Sequence, residues 1–113
     1  MSRIHYTNQN YAAITAGISG SPDTFEGCMP TQATTSFVEY RIDWVPGKTM
    51  FYIDGVLQTT LTQYVPQTSG VWIWNNWSNG AKDWSAGPPA QDNVLEIQRI
   101  EMYYNSTSNA RCC

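Results

Sequence analysis

The sequence predicts an all-β chain folded as an antiparallel β-sandwich or jelly roll. Three observations predict it. Apolar and polar residues alternate with a period of two along 38–44, turn dipeptides recur at short intervals, and no stretch sustains helical spacing for three turns. The chain has 113 residues, which bounds it to one domain large enough to bury a core.

The elements follow in order. Residues 4–8 (IHYTN) are short and β-prone, and residues 11–18 form a second candidate strand. Residues 19–35 contain Gly20, Pro22, Gly27 and Pro30 and read as a loop with a weak strand inside it. A connection this long in a compact domain is often functional. Residues 36–45 carry the clean alternation: Val38, Tyr40, Ile42 and Trp44 on one face, Glu39, Arg41 and Asp43 on the other. Pro46-Gly47 breaks this strand, and residues 49–53 return as the second arm of a hairpin. Asp54-Gly55 is a tight-turn dipeptide, because a type I′ turn needs positive φ at both central positions. Residues 56–62 form the next strand, and residues 66–70 a further turn.

Residues 71–84 (VWIWNNWSNGAKDW) hold four of the five tryptophans. The first half, 71–77, reads as a strand. Alternation groups Ile73, Asn75 and Trp77 on one face and Trp72, Trp74 and Asn76 on the other. An asparagine flanked by indoles suits a sugar better than a core. An indole face stacks on the apolar face of a pyranose, and an amide both donates to and accepts from its hydroxyls. Trp72, Trp74 and Trp44 are expected in the core. Ser78-Asn79-Gly80 signals a loop leading to Trp84. Residues 85–92 contain consecutive prolines and read as a loop. Residues 94–104 are the last expected strand. Its apolar phase slips between Leu95/Ile97 and Ile100/Met102/Tyr104, which a β-bulge near Gln98-Arg99 would absorb. Residues 105–113 form a polar tail ending in vicinal Cys112-Cys113.

Composition excludes several function classes. Charged residues make up 13%, aromatics 13%, and the net charge is −3 with no Lys/Arg cluster, so no nucleic-acid surface is expected. No apolar run approaches the roughly 20 residues of a membrane helix, so no membrane partner is expected. No Cys-x-x-Cys or Cys/His cluster occurs, and no metal or cofactor is expected. Three cysteines, Cys28, Cys112 and Cys113, are an odd number. One of the vicinal pair bonding to Cys28, or both bonding outside the chain, remain alternatives. Two N-x-S/T sequons begin at Asn76 and Asn105; Asn76 is expected between the sheets and unglycosylated. His5 is the only histidine, and a lone strand histidine is read as structural.

Residues 40–47 (YRIDWVPG) and 51–55 (FYIDG), then Asn75-Asn76-Trp77, Asp83-Trp84 and residues 97–104, fall in the order seen in a known family. The chain resembles the glycoside hydrolase family 16 enzymes, β-glucan hydrolases and transglycosylases on a concanavalin-like jelly roll, and most of all their fungal secreted branch. Val38 departs from the pattern, standing where the family has a histidine. The resemblance covers residues 4–104 and implies a glycan cleft lined by Asn75, Trp77 and Trp84, with Tyr6 also facing the sugar. It implies a β-glucan or related cell-wall polysaccharide as partner and an extracellular location, although residues 1–3 are no signal peptide.

Family members cleave with retention through Glu-x-Asp-x-Glu on one strand, which places two carboxyls about 5–5.5 Å apart on one face. That motif is absent from these residues. Glu96 and Glu101 lie too far apart, Asp23 and Glu26 read as a loop pair, and Asp43 and Asp54 sit at structural turns. The motif would precede Ile4. The chain therefore reads as the C-terminal part of such a domain, residues 1–104, inactive alone. The alternative is a non-catalytic carbohydrate-binding or interaction module. An incompletely closed sandwich is expected, with self-association through unpaired strand edges.

Overall fold

The computed structural model describes residues 3–9, 23–82 and 87–104. The chain divides into two units, Met1–Val71 and Trp72–Cys113.

The first unit is an antiparallel β-sandwich. Strands β1 (Arg3–Asn8) and β2 (Asp23–Cys28) form one sheet. Strands β3 (Tyr40–Val45), β4 (Lys48–Ile53) and β5 (Val56–Leu61) form the other, in that order. The described residues contain no helix. Alternation set the hairpins correctly. Tyr40, Ile42 and Trp44 stand opposite Ile53, Phe51 and Thr49, so the apolar residues of β3 and β4 share a face. Pro46-Gly47 connects β3 to β4. Asp54 and Gly55 connect β4 to β5 with φ of 48° and 80°, the paired positive values of the expected turn. Asp54 is also a brace: its Oδ1 accepts from the Glu39 N–H at 2.9 Å, and its own N–H donates to the Glu39 carbonyl at 2.9 Å. A bulge falls between Phe51 and Tyr52, where β4 meets β5.

Tyr6, Phe51, Ile53 and Leu61 form the buried core, with Ile4 and Val38 packed against it. The Tyr6 ring crosses from one sheet to the other, 5.1 Å from the Phe51 ring and 6.2 Å from Phe25. Asn8, also buried, ties the sheets at one end. Its Nδ2 donates to the carbonyls of Leu61 (3.4 Å) and Gln63 (3.1 Å), just where β5 ends. On the outer face the Arg41 guanidinium lies 4.5 Å from the Tyr52 ring centroid and pairs with Asp43.

Several expectations need correction. Residues 23–28 form a full strand rather than a weak one in a loop. Gly27 and the run of polar residues hide it from the alternation rule, but β1 supplies a complete ladder of partners. Asp23 and Glu26 therefore occupy strand positions, and Glu26 pairs with Arg3 at 2.6 Å. Residues 36–39 precede β3 rather than belonging to it. Trp44, expected in the core, is exposed, with its indole N–H donating to the Pro66 carbonyl at 2.8 Å. Residues 71–77 and 94–104 carry no strand ladder. Composition made them β-prone, but a strand is completed by a partner, and none among the described residues pairs with them. The bulge expected near Gln98 goes with that ladder. Trp72 and Trp74, expected in the core, are both exposed and pack on each other at 5.9 Å. Residues 11–18, Trp84, Asn105, Cys112 and Cys113 lie outside the described residues.

Candidate functional site

The second unit contains a cavity of about 570 Å³, within the range of small-ligand sites. Two stretches make it. Asn76, Trp77 and Ser78 form one wall, and Gly87 with residues 89–93 forms the other. The walls meet through a contact that only glycine permits. Gly87 has φ 74°, and a Cβ there would come within 2.5 Å of the Ser78 Oγ. A second tie closes the opposite side, where Asn76 Nδ2 donates to the Asn93 carbonyl at 3.5 Å. Before the turn, Asn79 Oδ1 accepts from the Ala81 N–H at 3.0 Å, the local bond that makes Asn a turn residue.

The lining combines an indole with amide-bearing residues. Trp77 presents an indole that is 58% exposed. Asn76, Gln91 and Asn93 offer amides around it. Each amide can donate and accept, which matches a sugar hydroxyl better than an ion. Among the described residues, Asp92 is the one carboxylate in the lining. A retaining glycosidase needs two carboxyls about 5–5.5 Å apart.

The expected site residues separate in the structure. Trp77 lines the cavity. Asn75 does not; its neighbour Asn76, expected between the sheets, takes that place and is exposed. Strand alternation cannot choose between adjacent asparagines once the backbone leaves the pleat. Gln91, Asp92 and Asn93 were missed because they follow two prolines and read as connecting loop. Their signal was the cluster of amides beside Asp92. Tyr6 belongs to the first unit, where it is 5% exposed and part of the core. Its hydroxyl is buried with no hydrogen-bond partner among the described residues. Burial, and secondarily Tyr40, raises its pKa above the usual tyrosine value.

No charge constellation for catalysis appears elsewhere among the described residues. His5 Nδ1 lies 3.5 Å from Glu26 Oε1, which also accepts the Arg3 pair on its other oxygen, a surface cluster on β1 and β2. The Arg41 guanidinium, hydrogen-bonded to Asp43, holds that carboxyl below the ordinary aspartate range. Arg99 pairs with Glu101, two residues along.

Comparison with known proteins gives partial likenesses. No family model matches the chain, and no solved structure matches it. A beta-glucanase of Paenibacillus macerans is 33% identical over 79 residues, 69% of this chain and 32% of that protein. A beta-glucanase of Paenibacillus polymyxa is 43% identical over 53 residues, 46% of this chain and 22% of its own length. One from Bacillus licheniformis is 38% identical over the same number of residues, 53. The chain thus spans between 22% and 32% of the length of these relatives. Over part of its sequence, this all-β chain is similar to bacterial beta-glucanases.

Proposed function

We propose that this chain contributes the glycan-holding part of a β-glucan-acting protein of the family 16 type. The Trp77 indole receives the flat face of a glucosyl unit, and Asn76, Gln91 and Asn93 bond its hydroxyls. The observation that carries this reading is the meeting of an exposed indole with three amides in one cavity. The likeness to proteins named beta-glucanase supports a β-glucan as the polymer.

A second reading rests on Asp92 being the one lining carboxylate among the described residues. Asp92 alone cannot act as both nucleophile and acid. These residues then bind glucan without cleaving it, as a carbohydrate-binding module does. The fungal branch of the family, and action on cell-wall polysaccharide outside the cell, complete the proposal.

The test incubates the full chain with soluble β-1,3- and β-1,4-glucans. Retention of the chain on the glucan without release of reducing ends is the expected outcome. Release of reducing ends by the chain alone overturns the non-cleaving reading. Absence of retention on both linkages overturns the glycan reading.

A further inference from the structure

The sandwich of the first unit is covered unevenly. β1 and β2 lie against β5, and the Tyr6 ring reaches Phe51 on β4. On the same inner face, Phe51, Ile53 and Leu61 are buried. Tyr40, Ile42 and Trp44 of β3 continue that face but remain 51%, 43% and 46% exposed. Among the described residues, β3 has β4 on one side and no strand on the other. Among the described residues, that free side is a row of unpaired backbone donors and acceptors beside an uncovered apolar face.

Natural edges are blunted by short strands, charged side chains, prolines or bulges. β3 has no proline or bulge within Tyr40–Val45 and pairs regularly with β4 along all six residues. Its two charges, Arg41 and Asp43, are of opposite sign, so they repel a neighbouring strand only in the wrong register. Its sequence, YRIDWV, is also complementary to itself when reversed about Ile42. We propose that two copies of this chain associate through β3, antiparallel and centred on Ile42. The two three-stranded sheets then run on as one six-stranded sheet.

The pairing puts Ile42 opposite the partner's Ile42, Tyr40 opposite the partner's Trp44, and Arg41 opposite the partner's Asp43. A two-fold axis perpendicular to the sheet keeps both apolar faces on one side. The exposed aromatic rings therefore join in one stripe, while both Arg–Asp pairs lie on the other side. Charge selects this register. Sliding to a centre at Arg41 sets two guanidinium groups opposite each other, and a centre at Asp43 sets two carboxylates opposite each other. Like charges in directly opposed positions disfavour a pairing. Within one copy, Arg41 Nε and Nη2 already donate to Asp43 Oδ1 and Oδ2 at 2.7 and 2.5 Å. In the dimer each carboxylate accepts from a second guanidinium across the edge. A strand of six residues makes a small interface, so the dimer is weak and its population depends on concentration.

The test uses the full chain and the double exchange R41D/D43R, which keeps the ion pair within each copy. Sedimentation equilibrium over a concentration series measures each alone, and differently labelled copies measure the mixture. Parent and double variant each form dimers of similar affinity. The mixed pair, with like charges opposed at both positions, is at least tenfold weaker. The single variants R41D and D43R each associate weakly alone, and mixing them restores the dimer. A parent that stays monomeric, or a mixed pair as tight as either homodimer, overturns the proposal. So does a mixture of the two single variants no tighter than its components.

Discussion

Replacing Tyr6 by phenylalanine separates a core residue from a sugar contact. The ring is 5% exposed and wedged between Phe25 and Phe51, and its hydroxyl is buried without a hydrogen-bond partner among the described residues. Burying an unsatisfied hydroxyl costs about 1–3 kcal/mol. Tyr6→Phe removes that cost and leaves a gap of one oxygen atom, whose lost contacts offset part of the gain. The expected net effect is a stabilisation of about 1 kcal/mol. For a domain of this size that raises the midpoint of thermal unfolding by roughly 4–8 °C. Urea unfolding followed by tryptophan fluorescence reads it as a shifted midpoint with an unchanged slope. Tyr6→Ala, which empties the ring site, destabilises by about 3–5 kcal/mol. Glucan retention is the same for Tyr6→Phe as for the parent. A destabilised phenylalanine variant would show that the hydroxyl is satisfied in the folded protein. A stable variant with weakened retention would show that it reaches the ligand.

Three further outcomes follow from single contacts. Asn8→Asp turns a buried donor into an acceptor facing the Leu61 and Gln63 carbonyls, and chemical denaturation should show a loss of about 3 kcal/mol at neutral pH. That loss shrinks on acidification as the carboxyl takes up a proton and donates again. Gly87→Ala strains a positive-φ position and drives a Cβ onto Ser78, so glucan retention falls; adding Ser78→Gly recovers part of it. The Asp43 carboxyl is held down by its hydrogen bond to Arg41. A folded pKa below the unfolded one stabilises above the ordinary carboxylate value, about 4, and that stabilisation is lost as pH falls through the folded pKa. The stability gap between the parent and Asp43→Asn should therefore narrow on acidification, as read from denaturation midpoints across pH.

Legibility in the sequence tracked how local each feature is. The hairpins β3–β4–β5 were readable because alternation and the Asp54-Gly55 turn are both written within a few residues. β2 was only faintly readable, since DTFEGC owes its ladder to β1, which lies outside any local pattern. Tyr6 shows the same limit. Period two assigns a side chain to a face, but the partner sheet decides whether that face is core or cleft, and here β4 supplies Phe51 beneath the ring. At 71–77 the strand geometry expected from alternation does not form. With no ladder, Asn76 rather than Asn75 joins Trp77, and the opposite wall comes from residues 89–93 beyond two prolines. The absence of a Glu-x-Asp-x-Glu motif is legible in the sequence itself, since it is a matter of residue order and not of packing.

The central claim is that the Trp77 cavity holds a β-glucan. The most direct measurement is the affinity of the full chain and of Trp77→Ala for a soluble β-glucan oligosaccharide, by titration calorimetry. Removing a stacking indole should weaken binding by at least tenfold, about 1.4 kcal/mol, while the denaturation midpoint of the first unit stays put. Equal affinity in the two proteins would contradict the account.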